Sequence, residues 1–285
     1  MNIQWYPGHM AKTKRMIVDQ LKLVDLVCEI VDARIPVSSR NPDIDSIAAS
    51  KPRLIVLNRA DQSDPELNKK WASYFRLRGF AVILTDSKKG VGIGTFLPAV
   101  KLLMKDKIKR NEEKGQAGRA IKIMVVGVPN VGKSSFINRI IKRKSAKAED
   151  KPGVTRGKQW FSLGDGLELL DTPGILWPKF DDEKTGMHLA FTGAVRDEIM
   201  DLETLASNLM AELAVYAPHA LISRYKVDAA AEKDGYTLLK AAAKKRGFLL
   251  PGGKEDTERM ARILLDEFRG GLLGKITLEV PHDAG

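Results

Sequence analysis

Gly127-Val128-Pro129-Asn130-Val131-Gly132-Lys133-Ser134 is a glycine-bounded turn that closes on a lysine and a hydroxyl. Before it stands an apolar run, Ile121-Lys122-Ile123-Met124-Val125-Val126. After it, Phe136, Ile137, Ile140 and Ile141 recur at helical spacing. Strand, glycine-rich turn and helix together make a phosphate-binding loop. The glycines let the backbone wrap closely around oxygens, the N–H groups that open the helix face the anion, and the helix dipole adds to the attraction. In this reading Pro129, Asn130, Val131, Gly132, Lys133, Ser134 and Ser135 line the phosphates. Lys133 reaches the β- and γ-phosphates and Ser134 ligates Mg²⁺.

Asn58-Arg59-Ala60-Asp61 follows a second apolar run, Leu54 to Leu57. The end of such a strand is where ligands bind in open α/β sheets. The Asp61 carboxylate can accept from the N1–H and N2–H₂ of guanine, a donor pair that adenine lacks, so it selects GTP over ATP. Asn58 braces the loop and touches the base, and Arg59 stands beside it. Ser87 and Lys88, in Thr85-Asp86-Ser87-Lys88-Lys89-Gly90 after a third apolar run, are placed to offer a backbone N–H to the guanine oxygen; a plain polar turn is the alternative. In Glu168-Leu169-Leu170-Asp171-Thr172-Pro173-Gly174, Asp171 is a Mg²⁺ partner through water and Gly174 a γ-phosphate donor. Thr155, in Pro152-Gly153-Val154-Thr155-Arg156, is the candidate hydroxyl that closes on Mg²⁺ and γ-phosphate. The guanine loop precedes the phosphate loop by about seventy residues, so the parts of a GTP site stand in rotated order.

The rest of the 285-residue chain reads as α/β followed by α. Apolar runs at Leu26–Val31, Leu54–Leu57 and Ala81–Leu84, with a helix over Pro65–Arg78, imply a parallel sheet with crossover helices. Met10–Leu23 has the pattern of a basic amphipathic helix and Phe96–Ile108 that of another helix. Arg110–Arg119 is the linker candidate. Gln159–Leu163 and Leu167–Leu170, separated by Gly164-Asp165-Gly166, predict a hairpin and one antiparallel edge strand. Beyond Asp182 helices take over. Leu202, Leu205, Ala206, Leu209 and Leu213 make one stripe, and Tyr236–Arg246 and Glu255–Phe268 follow with Gly247 and Gly270 as stops. The expected division is 1–182, a GTP-binding domain, and 183–285, a small all-α domain.

Net charge is +11, and residues 101–160 carry 17 Lys and Arg against 5 Asp and Glu. Such a surface favours nucleic acid or another polyanion, a solvated solubilising face being the alternative. The single cysteine, Cys28, sits in an apolar run and excludes an intramolecular disulfide framework. No segment has the pattern of a signal peptide or a membrane span, and a cytoplasmic protein is expected.

These residues resemble the circularly permuted GTPases, with motif order G4-G5-G1-G2-G3, and within them the bacterial ribosome biogenesis GTPase A subfamily, also called YlqF. The marks are Trp5-Tyr6-Pro7-Gly8-His9-Met10, Val31-Asp32-Ala33-Arg34-Ile35-Pro36, Ser39-Arg40-Asn41-Pro42, Asn58 to Asp61, and Asp171-Thr172-Pro173-Gly174-Ile175-Leu176-Trp177-Pro178. The chain departs from the pattern at Arg59, where a lysine is usual, and at Lys88. The resemblance implies a monomeric P-loop GTPase that binds GTP and GDP with Mg²⁺ and assists late assembly of the large (50S) ribosomal subunit. Its partners would be the subunit precursor and 23S rRNA, contacted by the 183–285 segment. Its basal turnover would be low and stimulated by ribosomal particles.

Ile175 stands where Ras-like enzymes carry a water-orienting glutamine, and its side chain forms no hydrogen bond. The resemblance gives that task to His9, whose imidazole is suited to polarise water near neutral pH; a turn residue after Pro-Gly is the alternative. The catalytic set is then His9, Lys133, Thr155 and Gly174. In related GTPases the residue at Asn130 helps bind K⁺, which would offset charge developing at the phosphates. A different class of function stays open beside this one, an RNA-binding assembly chaperone that uses GTP mainly as a binding switch.

Overall fold

The computed structural model describes residues 15–116, 118–144, 148–149, 159–172, 182–195, 197, 201–229 and 233–281. Helix α1 covers 15–21. The sheet then begins with β1 (Leu26–Asp32), buried along its whole length, as suits a parallel strand covered on both faces. After α2 (Pro42–Ile47) come β2 (Arg53–Asn58), α3 (Pro65–Leu77) and β3 (Ala81–Thr85), then α4 (Phe96–Leu103), α5 (Lys105–Glu113), β4 (Ile121–Gly127) and α6 (Lys133–Lys144). Strands β5 (Ala148–Glu149), β6 (Gln159–Gly164) and β7 (Leu167–Asp171) complete the sheet. Its order is β3-β2-β1-β4-β7-β6-β5. The chain winds outward one way from β1 to β3 and the other way from β4. The crevice between β1 and β4 is therefore a topological switch point, where ligands sit at the carboxyl ends of strands.

Local chemistry sets the elements. Asp64 caps α3, accepting from the N–H groups of Glu66 and Leu67, and Pro65 takes the first helical position. The helix buries Asn68, Trp71, Ala72 and Phe75 against β1 and β2. In the β6–β7 hairpin Asp165 and Gly166 have φ of 52° and 70°, the two positive values of a type I′ turn.

Helices α7 (Glu183–Phe191), α8 (Leu202–Tyr216), α9 (Pro218–Tyr225), α10 (Gly235–Lys245) and α11 (Thr257–Gly270) follow. α10 crosses α8 so closely that a Cβ on Gly235 would lie 1.9 Å from the Ser207 carbonyl oxygen. One apolar cluster runs without a break from Leu26, Phe96 and Phe136 through Leu189 and Phe191 into Leu209, Leu239 and Phe268. The chain then returns to the sheet. The Ile276 and Leu278 N–H groups donate to the Gln62 and Arg34 carbonyls at 2.9 Å, and Trp71 Nε1 donates to the Glu279 carbonyl at 3.0 Å. Among the described residues no helix is long and apolar enough to cross a membrane.

Three expectations are corrected. The helix expected over Phe96–Ile108 breaks at Met104. The apolar α4 turns Phe96 and Val100 into the core, whereas the charged α5 buries nothing. The expected linker Arg110–Arg119 is helical up to Glu113. The antiparallel strand is not at the edge: β6 is covered by the two-residue β5, which pairs with it through Ala148 and Glu149. Helices α2, α7 and α9 were not foreseen. Each is short, and α7 alternates polar and apolar residues without a clean stripe.

Candidate nucleotide site

Parallel pairing of β1 with β2 and β4 brings the last residues of these strands to one edge. Asn58 ends β2 and is buried. Its Nδ2 donates to the Val131 carbonyl of the phosphate loop at 2.8 Å. Its Oδ1 accepts from the Ser87 N–H at 3.0 Å, the Ser87 hydroxyl at 2.7 Å and the Thr85 hydroxyl at 3.1 Å. One amide thus ties together three loops that are far apart in the chain. Gly132 lies directly beneath it with φ of +93°, where a Cβ would come within 2.3 Å of Asn58 Nδ2. No other residue fits there.

Lys133 opens α6, and its Nζ lies 2.5 Å from Asp171 Oδ1 at the end of β7. Ser134 and Ser135 are exposed on the first turn of that helix. Asn130, with φ of 59°, and Gly132 are both left-handed. Such alternation turns successive N–H groups toward one side, the concavity called a nest.

In the loop after β2 Asp61 is partly exposed, with Lys89 Nζ at 3.4 Å. The loop after β3 closes on itself: the Lys89 N–H donates to the Asp86 carboxylate at 2.9 Å and the Gly90 N–H to the Asp86 carbonyl at 2.7 Å. Arg139 of α6 clamps this loop, donating to the Ser87 carbonyl at 3.2 Å and also to that of Lys88. Arg59 turns away from the opening of the loop. It donates to the Asn130 carbonyl at 2.9 Å and to the Arg269 carbonyl of α11 at 3.2 Å. Burial pulls the Arg59 guanidinium down from its ordinary pKa, against the opposing attraction of Asp32. Burial pushes the Asp32 carboxyl up, but the bidentate Arg34 guanidinium outweighs it and holds the pKa below the usual range.

Asn58, Arg59, Asp61, Ser87, Lys88, the 129–135 loop and Asp171 therefore meet along one edge of the sheet. His9, Thr155 and Gly174 lie outside the described residues. Arg34, Arg139 and Arg269 were missed as supports of the site. Arg34 had a signal, a charged pair with Asp32 inside an apolar run. Arg139 and Arg269 had none, since each sits on a helix rich in charge.

Among the described residues no cluster of three or more His, Cys, Asp or Glu could hold a metal by itself. The hydroxyl of Ser134 and the carboxylate of Asp171 fit Mg²⁺ that takes its remaining ligands from phosphate and water.

The profile of a family described as 50S ribosome-binding GTPase matches residues 122–217, from β4 into α8 and beyond it by one residue. A ribosome biogenesis GTPase A from Bacillus cereus is 46% identical over 100% of this chain and 96% of its own length. One from Thermotoga maritima is 32% identical over 99% of this chain and 95% of its own. The structure of GNP-bound YlqF from T. maritima matches with a TM-score of 0.67 at 29% identity, over 95% of this chain and 99% of that one. A GDP-bound YlqF structure matches at 0.68 and 29%, over 94% and 100%.

Proposed function

This chain belongs to the ribosome biogenesis GTPase A family, a circularly permuted P-loop GTPase fold, and we propose that it hydrolyses GTP to drive late assembly of the large (50S) ribosomal subunit. In this reading it works as a cytoplasmic monomer. Residues 1–182 bind the nucleotide, and residues 183–285 bind 23S rRNA or the subunit precursor according to nucleotide state. The observation that carries the reading is the Asn58–Val131 bond, which sets the loop of Asp61 against the loop of Lys133 in one cleft.

Asp61 accepts from the two guanine donors. The Ser87 N–H is committed to Asn58, so the guanine oxygen falls to the Lys88 N–H. Lys133 leaves Asp171 for the β- and γ-phosphates, and the N–H groups of 130–135 receive the remaining oxygens. Ser134, and Asp171 through water, would hold Mg²⁺, and Thr155 would supply a further hydroxyl in the GTP state. Such an ion would offset negative charge on the phosphates during transfer. Gly174 donates to the γ-phosphate, and His9 orients the attacking water in place of the missing glutamine. Asn130 uses its amide nitrogen on the Gly193 carbonyl, so its amide oxygen is the end that K⁺ would take.

Single-turnover hydrolysis of GTP, with and without large-subunit particles and K⁺, tests the reading. The expected result is slow basal turnover raised by both, lost in Lys133→Ala, and selective for GTP over ATP unless Asp61 is changed to Asn. Tight GTP-dependent binding to particles without stimulated hydrolysis would instead make the protein a binding switch.

A further inference from the structure

Residues from four distant parts of the chain close a circuit through the phosphate loop. Arg269 spreads its guanidinium over the turn that follows α7. Nε donates to the Phe191 carbonyl at 3.1 Å and Nη2 to the Ala190 carbonyl at 2.9 Å. Nη1 and Nη2 each lie 2.7 Å from a carboxylate oxygen of Asp197. The turn so shaped passes Gly193 directly under the guanidinium, where a Cβ would stand 3.3 Å from Arg269 Nε. The Gly193 carbonyl accepts from the side-chain amide of Asn130. The circuit closes through the backbone, since the Arg269 carbonyl accepts from Arg59 and Arg59 donates to the Asn130 carbonyl.

Both arms end on the same residue. Asn130 has a left-handed backbone, which asparagine adopts more readily than other side-chain-bearing residues, and here bonds at its carbonyl and its amide fix it. It stands two residues before Gly132, and its conformation decides which way the next N–H groups of the nest point. A guanidinium fork is suited to this hub because one planar group satisfies two carbonyls and a carboxylate together.

We propose that Arg269 is a positioning residue for nucleotide binding, which through the Gly193 turn and Arg59 holds Asn130 in its left-handed state and so couples the packing of the helical segment to affinity for phosphate. The proposal rests on the reading of the cleft as a guanine-nucleotide site. By reciprocity, nucleotide bound at the loop tightens the 192–195 turn.

Titration of the full chain with fluorescent GDP and a non-hydrolysable GTP analogue tests it. Arg269→Ala should weaken both by about fivefold to tenfold. Arg269→Lys should not restore affinity, because an ammonium cannot span the fork. In an Asn130→Gly background, which keeps the backbone conformation and removes the amide, the further loss on Arg269→Ala should fall below about twofold. Glu267→Gln is the control for general destabilisation. On the same helix as Arg269, it removes the charge that pairs with Arg224 and Arg246 and weakens the bond from Tyr225, and should lower the melting temperature without changing affinity. Unchanged affinity in Arg269→Ala, or an equal loss in both backgrounds, overturns the proposal. If Arg269→Ala does not fold, hydrogen exchange of residues 192–195 in the wild-type chain decides. Slower exchange on adding GDP supports the coupling, and unchanged exchange overturns it. A wild-type chain that binds neither nucleotide overturns the underlying reading as well.

Discussion

The floor of the cleft and the seam between the sheet and the helical segment are held in opposite ways. At the floor, Asn58 makes its four bonds to neutral partners. Nothing in that network titrates near neutral pH. At the seam, charges add to the apolar packing: Asp32 with Arg34, both buried, Arg269 with the more exposed Asp197, and the buried His188 between Glu212 and Glu279. The neutral floor keeps its geometry over a wide range of pH and salt. The charged part of the seam contributes only while every partner is present and correctly protonated. A molecule built this way has a fixed site and a conditional grip on the segment that we assign to the ribosome.

The largest expected effect comes from breaking the seam at Arg34. The guanidinium is 1% exposed. Besides Asp32 it donates to the Phe268 carbonyl at 2.9 Å, and it lies 5.0 Å from the centroid of the Phe268 ring. Arg34→Ala removes the bidentate partner of a buried carboxylate and should cost about 3–5 kcal/mol in urea denaturation. Adding Asp32→Asn should recover part of it. A loss below about 1 kcal/mol would mean the seam is held by its apolar contacts and not by charge.

Next is the floor. Asn58→Ala leaves the Ser87 N–H and the Val131 carbonyl without a side-chain partner, and leaves only the Arg59–Asn130 bond to tie the guanine loop to the phosphate loop. Nucleotide affinity should fall by about 2–3 kcal/mol, roughly a hundredfold at the upper end. Asn58→Asp should do nearly as badly, because a carboxylate cannot donate to Val131. The sharpening feature is pH: titration calorimetry at pH 6 and pH 8 should give the same loss. A loss that varies with pH would place a titrating group in the floor and erase the contrast.

How legible each region was in the sequence follows from the same difference. The floor is made of residues whose neighbours in the chain carry the signal. Gly132 and Lys133 stand in one octet, Asn58 and Asp61 in one quartet after an apolar strand, and Asp171 at the end of another. Asn58 could be read as a brace from its place alone. The seam consists of pairs such as Arg34–Phe268 and Arg269–Ala190, separated by 234 and 79 residues. A sequence shows that Arg269 is charged but not which carbonyls its fork will meet. It shows Met104 as one more apolar position, but not that α4 must turn into the core there while α5 leaves it. Nothing in the sequence around His188 marks it, and only the returning tail at Glu279 gives it a second carboxylate beside Glu212.

That histidine yields the smallest of these effects and the plainest sign. Its Nε2 lies 2.9 Å from Glu212 of α8 and its Nδ1 3.0 Å from Glu279 of the returning tail. Glu279 also accepts from the Ser38 N–H at 3.0 Å and the Val37 N–H at 2.5 Å. Burial pushes the imidazole down, but hydrogen bonds and attraction from the two carboxylates win and carry it from 6.5 up to about 9. A pKa raised on folding means that the folded state holds the proton more tightly. The stabilisation is therefore full below the unfolded value near 6.5 and is lost as pH rises through 9. Between about pH 6 and pH 8 the loss should be roughly 2 kcal/mol. His188→Gln should be less stable than the wild type at the lower pH and should remove most of this slope, the two curves drawing together above about pH 9. A wild-type stability that rises over this interval, with no difference in slope from His188→Gln, would mean that the tail is held without the proton. The charged seam would then be no more conditional than the floor.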